Sequence, residues 1–405
     1  MAGKEKVVLA YSGGLDTSYC VPYLKEKKGF DVITVTVDTG GFGSEELHAI
    51  EERARSLGVL AHHTVDARTR VFERYVSYLI KGNVLRGSVY PLSVAAERVA
   101  QAEAVAEIAL REKASAVAHG STGAGNDQVR FDIAFSVLLP GMTVLAPIRD
   151  EKLSRDDEYA FLESRGVKIP RSAKEYSINT GLWGSTIGGG ETHDAWREIP
   201  DSVYEQAAGG ERSLETEHVT LGFERGIPVS IDGRKSPGVE VIRQLSAVCR
   251  KHRVGFGIHI GDTVLGIKGR IAFEAGAALV TIHAHRELEK IILTSWQRFW
   301  KDHVADFYGK MLHEGHFFEP ALRDMEALLD SSQERVTGEA RVRLGAGSFA
   351  VVGVRSPFNV MSPASGVYGE MPKLWTGADA RGFSTISAVP ARLYRLAGDA
   401  GGKKK

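Results

Sequence analysis

The chain has 405 residues, enough for two or three domains with a large buried core, which excludes a single small domain. Its 51 lysines and arginines equal its 51 aspartates and glutamates, so no broad basic field favours nucleic acid or an anionic membrane as a partner. Cys20 and Cys249 are too few for a disulfide framework or a four-thiolate zinc site. The charged start, Met1 to Lys6, leads directly into an apolar strand, and no apolar stretch approaches a membrane-spanning length. We therefore expect a soluble, cytoplasmic protein without a signal peptide.

The first predicted element is an apolar strand, Val7 to Tyr11, which ends in the turn Ser12 to Gly14 and leads into a helical pattern opened by Asp16 to Ser18. Two glycines let the backbone turn tightly, and the hydroxyls and first amides of the next helix are donors for an anion. No Gly-Lys-Ser or Gly-Lys-Thr occurs in the chain, so this loop is not of the kind that delivers a γ-phosphoryl group. The pattern predicts a pyrophosphate-binding loop, and the alternative is an ordinary glycine turn.

Strand-like and helix-like segments then alternate through the first 168 residues. The further predicted strands are Val32 to Val37, Val59 to Val65, Ala116 to Ala118 and Val144 to Pro147, and the predicted helices include Glu45 to Leu57, Ala95 to Glu112 and one capped by Ser154 with Asp157. This alternation predicts parallel βαβ units whose ligands bind beyond the carboxyl ends of the strands.

A second glycine-rich segment, His119 to Phe131, follows the strand Ala116 to Ala118 and enters a helix. Asn126 and Arg130 are four residues apart and share one helix face. A helix N-terminus with Arg130 suits a carboxylate, and Asp127 could accept a hydrogen bond from an amine. The alternative is a capped surface helix whose arginine is merely solvated.

The second half of the chain begins with a change of composition near Val167 to Pro170. The predicted features that follow are a long loop over residues 176–196, strands Val219 to Leu221 and Val229 to Ile231 flanking a hairpin turn, a single Trp-bearing helix from Leu288 to Leu312, and a return to strand at Arg341 to Val354. We expect a first domain over residues 1–168, a second α/β domain over residues 169–380, and a tail over residues 381–405 that is available for an oligomer contact.

Two further side-chain patterns are typical of packing rather than chemistry. The pairs His62 with His63 and His283 with His285 lack an evident third ligand, so we expect no metal site there. Trp296 and Trp300, four residues apart, predict a core or subunit-interface stripe.

Several motifs together resemble the argininosuccinate synthases. They are Ala10 to Ser18, Ala118 to Gly120, Gly125 to Phe131, Leu153 to Arg155, Tyr176 to Ile178, Leu182 to Gly184, Gly222 to Glu224 and Pro228 to Ser230. The resemblance implies a nucleotide-binding domain of the pyrophosphate-loop ATPase type followed by an α/β synthetase domain. It also implies that citrulline and aspartate are joined at the expense of ATP, with Mg2+, by a homotetramer that releases AMP and pyrophosphate.

The resemblance assigns roles to residues at matching positions. ATP is implied to bind at Ala10, Tyr11, Ser12, Gly13, Gly14, Leu15, Asp16, Thr17, Ser18, Val37 and Gly120. Citrulline is implied to bind at Tyr90, Asn126, Arg130, Ser177 and Thr186, and aspartate at Thr122, Asn126 and Asp127. We expect Ser12, Asp16, Asp127 and Arg130 to carry the catalysis.

The chain also departs from the family pattern. Ala124 stands where the family has lysine, Ala95 stands for a serine, Asp38 to Gly41 lacks the usual Asp-x-Gly-Gln, Gly261 stands for the citrulline-binding glutamate, and Phe273 stands for a tyrosine. We expect Asp262 or Glu274 to replace the missing carboxylate. Two rival functions remain at this point: a pyrophosphate-loop enzyme that acts on tRNA, and a homologue that has changed its acceptor or lost catalysis.

Overall fold

The first half of the chain builds a parallel sheet of five strands, as the alternating pattern predicts. The strands are β1 Lys6–Ala10, β2 Asp31–Asp38, β3 Ala61–Asp66, β4 Ala116–Ala118 and β5 Thr143–Leu145. Their order is β3-β2-β1-β4-β5, and β1 pairs in parallel with both β2 and β4. The sheet therefore changes direction of winding between β1 and β4, and the carboxyl ends of these two strands border a crevice.

The computed structural model describes residues 4–167, 169, 176–208, 213–361, 366–370 and 373–402, and it describes the backbone alone for 205–208 and 400–402. The chain forms two units, Met1–Pro357 and Phe358–Lys405. Lys168 and Pro170, at the predicted domain boundary, and Lys403 to Lys405 of the predicted tail lie outside the described residues.

Helices cover both faces of the parallel sheet. They are α1 Leu15–Glu26, α2 Ser44–Ser56, α3 Arg68–Val71, a π-helical turn Phe72–Val76, α4 Ser77–Lys81, α5 Ala95–Glu112, α6 Asp127–Leu138, α7 Pro147–Glu151 and α8 Arg155–Glu163. Val7 and Leu9 lie in one apolar cluster with Leu24 of α1, whereas Val8 lies in another with Val105 of α5. The two-residue alternation of β1 thus divides the core between the two faces.

The predicted cap at Ser154 is confirmed. The Ser154 hydroxyl accepts a hydrogen bond from the amide of Asp157 at 3.2 Å, and the Asp157 carboxylate accepts one from the amide of Ser154 at 3.0 Å. This reciprocal pair fixes the start of α8.

The second half of the chain is a mixture of helices and antiparallel sheets, so the predicted fold class is confirmed. The strands are β6 Tyr176–Gly181, β7 Gly184–Gly189, β8 Glu217–Glu224, β9 Ile227–Ile231, β10 Arg234–Lys235, β11 Phe256–Asp262, β12 Lys268–Glu274, β13 Gly338–Gly345 and β14 Ser348–Arg355. The helical elements are a 3-10 turn Gly190–His193, α9 Asp201–Ala208, α10 Gly238–Lys251, α11 Gly276–Lys290, α12 Ser295–Glu314 and α13 Pro320–Gln333. The two sheet orders are β11-β12-β7-β6 and β10-β9-β8-β13-β14.

The prediction of a long loop over residues 176–196 is wrong for most of that segment, because β6 and β7 form a hairpin. Ile178 and Ile187 pair across the two strands and pack into a small apolar cluster. The neighbouring glycines, serines and threonines carry little apolar signal, which hides the alternation. The predicted hairpin turn between β8 and β9 is confirmed, since Arg225 and Gly226 both have positive φ there.

The prediction of one helix from Leu288 to Leu312 is also wrong, because the chain breaks between α11 and α12. The Thr294 hydroxyl accepts from the amide of Gln297 at 3.2 Å, and the Gln297 side chain accepts from the amide of Thr294 at 3.0 Å. This capping box starts a new helix. Trp296 and Trp300 are 71% and 61% exposed, so they do not belong to the core.

The second unit contains α14 Gly377–Ser387 and α15 Val389–Gly402. All residues of α14 are exposed, including Phe383 and Ile386, as are Leu393 and Leu396 of α15. No helix within the described part of the chain combines the length and the apolar character needed to cross a membrane.

Candidate active site

The predicted phosphate loop forms a tight turn at the carboxyl end of β1. The hydroxyls of Ser12 and Thr17 lie 3.2 Å apart, and the amide of Gly14 donates to the Ser12 hydroxyl at 3.4 Å. Gly13 has a φ of 72°, which favours glycine. Gly14 caps α1 without a side-chain hydrogen bond, so the first amides of α1 remain available to an anion.

The second glycine-rich segment meets this loop directly. A Cβ atom at Gly120 would lie 2.9 Å from Cγ2 of Thr17 and 3.2 Å from its amide nitrogen. Glycine at this position therefore allows the backbone after β4 to contact the start of α1. Gln128 closes the segment by donating from Nε2 to the carbonyl oxygens of Gly123 and Gly125.

The residues predicted to bind ATP divide into exposed and buried groups. Ser12 and Gly14 are exposed, and Asp16 and Thr17 are partly exposed. Tyr11, Leu15, Ser18 and Val37 are buried, whereas Ala10 is partly buried. The Tyr11 and Ser18 hydroxyls lie 3.2 Å apart, so these side chains shape the loop from beneath.

Asp16 shares its surroundings with a carboxyl group that sequence reasoning missed. Burial raises the pKa of Asp16, and burial together with the Asp16 charge raises the pKa of Glu158, on α8, to about 8. The two carboxyl groups therefore disfavour each other's ionisation, and the pKa of both is raised. The described residues contain no group of three or more His, Cys, Asp and Glu side chains able to hold a metal ion.

Asp127 is the centre of a partly buried ionic network. Its carboxylate accepts from Nε of Arg98 at 2.9 Å and from an Nη of Arg130 at 2.9 Å. Burial alone would raise the pKa of Asp127, but the two arginine charges outweigh it and lower the pKa to about 2. Arg98 also donates to the side-chain oxygen of Asn179 on β6 at 3.0 Å. The network thus joins α5, α6 and β6.

Arg130 is 3% exposed, so the alternative of a solvated surface arginine is wrong. Besides Asp127, its guanidinium reaches the backbone oxygen of His313 at 2.9 Å and the ring Nδ1 of His313 at 3.2 Å. Asn126, one turn earlier, accepts from the amide of Val264 at 2.8 Å. Both side chains are therefore held by other elements of the fold.

One face of the sheet β11-β12-β7-β6 lies toward these groups. Strand pairing sets Thr186 opposite Asn179 and Phe273, and it sets Phe273 opposite Gly257. Because side chains alternate along a strand, the residues on this face are Ser177, Asn179, Thr186, Phe273, His259 and Gly261. The ring of Tyr90 stacks on His259 at 5.5 Å and lies 5.4 Å from Phe273. The structure thus brings Tyr90 and Thr186 to one surface, with the exposed Ser177 further along it.

The expectation that Asp262 or Glu274 replaces a carboxylate at Gly261 is wrong. Each lies one residue from a position on the Tyr90 side of the sheet, and both therefore lie on the opposite face. Asp262 is exposed and pairs with Lys268 at 2.6 Å, while Glu274 is buried and pairs with Arg250 at 3.3 Å. A Cβ atom at Gly261 would lie 2.6 Å from Nε2 of His259, so the imidazole occupies the space above the glycine.

Glu97, in the first turn of α5, is a further buried carboxyl group at this site. It is 2% exposed, and its Oε1 has no hydrogen-bond partner among the described residues. Burial raises the pKa of Glu97 to about 8, against the lowering influence of Arg98. A Cβ atom at Gly181 would overlap the Glu97 carboxyl, so glycine is required where β6 passes it.

Two more positions singled out from the sequence lie on the glycine-rich segment before α6. Thr122 and Ala124 are exposed on the glycine-rich segment. Sequence reasoning missed Arg98, Glu97, His259 and His313. Glu97 and Arg98 are adjacent charged residues at the start of the alanine-rich α5. The sequence could have indicated their importance, because charged side chains on an otherwise buried helix require partners.

We predict that replacing Asp127 destabilises the protein more than removing one of its partners. Asp127→Ala leaves the buried Arg130 and the partly buried Arg98 without their shared counterion. The expected cost is roughly 3 kcal/mol in the free energy of unfolding, at the low end for a buried pair because the Asp127 side chain is 33% exposed. Arg130→Met costs less, because Asp127 keeps Arg98. Urea unfolding measures both, with Asp156→Ala on an exposed position as the control, expected within about 0.5 kcal/mol of wild type. Equal stability of the Asp127 and Asp156 variants would contradict the network.

We predict that Glu97→Gln becomes more stable than the wild-type protein as the pH rises. Its pKa is raised on folding, so its ionisation favours the unfolded state as the pH rises from about 5 to about 8. Glu97→Gln cannot ionise, and its melting temperature should exceed that of wild type by several degrees near pH 9 and by little near pH 5. Glu107→Gln on the same helix, at a side chain 60% exposed, is the control and should show no such trend. A difference between Glu97→Gln and wild type that does not grow with pH would show that Glu97 is not held neutral.

The sequence of this chain is similar to those of one family of known proteins. The model of the arginosuccinate synthase N-terminal HUP domain matches residues 6–168, and that of the arginosuccinate synthase C-terminal domain matches residues 176–394. Proteins named argininosuccinate synthase are similar over most of their length. The one from Methanocaldococcus jannaschii is 40% identical over 88% of this chain and 89% of its own, that from Pyrococcus furiosus 41% over 87% and 85%, and that from Dictyoglomus thermophilum 36% over 98% of each. The chain therefore belongs to the argininosuccinate synthase family.

Proposed function

We propose that this protein condenses citrulline with aspartate at the expense of ATP, giving argininosuccinate, AMP and pyrophosphate in arginine biosynthesis. The observation that carries the proposal is the contact between Gly120 and Thr17. It joins the loop with free helix amides to the segment that leads into Asp127 and Arg130, so a phosphate and two amino acids would meet at one crevice.

The reaction needs no nucleophile from the protein. The ureido oxygen of citrulline attacks the α-phosphorus of ATP, pyrophosphate leaves, and a citrullyl adenylate forms. The amine of aspartate then attacks the ureido carbon and loses a proton as AMP departs with the oxygen. Positioning of the reactants and stabilisation of the phosphate charge by loop amides supply the catalysis.

The phosphate loop fits a magnesium ion that arrives on the ATP phosphates. Asp16 is the acidic side chain in the first turn of α1, directly after this loop. Asp16 would supply one carboxylate oxygen beside those of the phosphates, and the ion would neutralise phosphate charge.

The assignment of residues to substrates follows the family positions. ATP is assigned to residues 10–18 with Val37 and Gly120, citrulline to Tyr90, Asn126, Arg130, Ser177 and Thr186, and aspartate to Thr122, Asn126 and Asp127. In this assignment Arg130 acts through Asp127 and His313 rather than as a free donor, since its guanidinium is already hydrogen-bonded to both. Residues 1–168 form the ATP-binding domain and residues 169–380 the synthetase domain.

We also propose that the protein is a cytoplasmic homotetramer. Exposed apolar side chains on α12 and on the C-terminal α14 and α15 support an assembly, because such faces are costly to leave in water. The tail over residues 381–405 contributes an oligomer contact.

The proposed reaction predicts AMP and pyrophosphate in equal amounts, formed only when citrulline and aspartate are both present. Gly120→Ala should lower kcat/KM for ATP by roughly tenfold or more, because the added methyl group displaces the start of α1. Gly123→Ala is the matched control in the same segment, since its added Cβ would lie 3.5 Å from the nearest atom.

Radiolabelled ATP separates the outcomes. ADP and orthophosphate as primary products would contradict the reaction, and AMP formation that requires tRNA instead of citrulline would favour the rival nucleic-acid reaction. Absence of pyrophosphate with citrulline and aspartate would indicate a changed acceptor or a non-catalytic homologue.

A further inference from the structure

His119 follows the last residue of β4 and is fully buried at the start of the second glycine-rich segment. Its backbone amide donates to the carbonyl oxygen of Leu145 at 3.0 Å, at the end of the pairing between β4 and β5. Its ring stacks on Phe131 of α6, with the ring centroids 5.4 Å apart and an angle of 16° between the planes. The imidazole is therefore fixed between the sheet and α6.

Both ring nitrogens of His119 have hydrogen-bond partners, and these partners decide which nitrogen carries the proton. The amide of Ser121 donates to Nδ1 at 3.2 Å, so Nδ1 is an acceptor without a hydrogen. Nε2 lies 3.0 Å from the carboxylate of Asp132, and an ionised carboxylate only accepts hydrogen bonds. The imidazole is therefore neutral, with its proton on Nε2.

Asp132, on α6, holds the ring in this orientation. Burial would raise the pKa of Asp132, but hydrogen bonds from His119 and Arg149 outweigh burial and lower the pKa. Arg149, on α7, contacts the second carboxylate oxygen of Asp132 and also donates to the carboxylate of Asp150 at 2.9 Å. A chain of contacts thus runs from α7 through Asp132 and the His119 ring to the amide of Ser121.

Ser121 lies between two positions with proposed roles in substrate binding. Gly120, which is assigned to ATP, contacts the start of α1 at Thr17, and Thr122 is assigned to aspartate. Further along the segment, Gln128 donates to two backbone oxygens, so that part is held by other contacts. The His119 ring therefore fixes the backbone at the point between the ATP and aspartate positions.

We propose that His119 is a positioning residue, whose Nδ1 holds the Ser121 amide so that Gly120 and Thr122 bring ATP and aspartate together in the crevice. This inference rests on the proposed function. His119 touches neither substrate and exchanges no proton during the reaction. Its contribution is geometric, because a small displacement of the backbone between two binding positions slows a reaction that depends on positioning.

Two substitutions separate the two ring nitrogens. The side-chain oxygen of asparagine lies near the position of Nδ1, and the side-chain nitrogen of glutamine lies near that of Nε2. His119→Asn therefore keeps an acceptor for the amide of Ser121, whereas His119→Gln keeps the donor to Asp132 and places no acceptor at Nδ1. His48→Asn, at an exposed side chain on α2, is the matched control.

Steady-state kinetics with pyrophosphate release as the readout test the role in the reaction. His119→Gln should raise KM for ATP and for aspartate by roughly tenfold. KM for citrulline should change by less than about twofold, because Asn126 and Arg130 are held by other contacts. His119→Asn should restore both raised KM values to within about threefold of wild type, and His48→Asn should match wild type. A merely structural defect would lower kcat through loss of folded protein and leave all three KM values unchanged.

Hydrogen exchange of the Ser121 amide in the substrate-free protein, followed by mass spectrometry, tests the contact without relying on the reaction. His119→Gln should speed this exchange by roughly tenfold, and His119→Asn should leave it near the wild-type rate. Equal exchange in the two variants, or equal KM values for ATP and aspartate in both, would overturn the inference and leave the proposed function standing. Absence of pyrophosphate release by the wild-type protein would contradict the proposed function and the inference that rests on it.

Discussion

The carboxylate of Asp127 is the interaction on which the arrangement of this site depends. It stands between Arg98 and Arg130, and each arginine reaches a second element, Asn179 of β6 and His313 of α12 respectively. Residues far apart in sequence are thereby held at fixed positions relative to one another. The buried Arg130 and the partly buried Arg98 tolerate the loss of water because they share one anion and because their other donors find oxygen or nitrogen acceptors.

This ionic centre lies beyond the carboxyl end of β4, next to the strand that carries the phosphate loop. The parallel pairing of β1 with β4 sets the distance between the two, and Gly120 allows their closest approach at Thr17. The loop supplies free amides for phosphate charge, while the network supplies polar groups of fixed orientation. Such a division suits a reaction in which positioning replaces covalent catalysis.

Several ionisable side chains around the site are uncharged. Glu97 and Glu158 are held in their protonated forms by burial, and His313 is held in its uncharged form by burial and adjacent arginines. Holding two carboxyl groups neutral limits the negative charge within the crevice, which favours anionic substrates such as ATP and amino-acid carboxylates.

The parallel sheet and both glycine-rich segments could be predicted from sequence, because apolar runs and glycine turns are local signals. The β6–β7 hairpin was missed because glycine and small polar residues dilute its alternation, although Ile178 and Ile187 pair across it. The break at Thr294 was readable as a capping box, since Gln297 follows three residues later.

Contacts between residues distant in the chain could not be predicted from local sequence patterns. His313 lies 183 residues from Arg130, and no periodic pattern connects them. The choice of Asp262 and Glu274 as replacement carboxylates failed for a simpler reason. Nearness in sequence to Gly261 and Phe273 placed them on the wrong face, because neighbours on a strand point to opposite sides.

In the proposed reaction, the ureido oxygen of the acceptor attacks ATP at this crevice. Citrulline labelled with oxygen-18 in its ureido group tests it most directly, with mass spectrometry of the AMP and of the condensed product after a single turnover. The label should leave the acceptor and appear in AMP. Label retained in the amino-acid product, with unlabelled AMP, would contradict it.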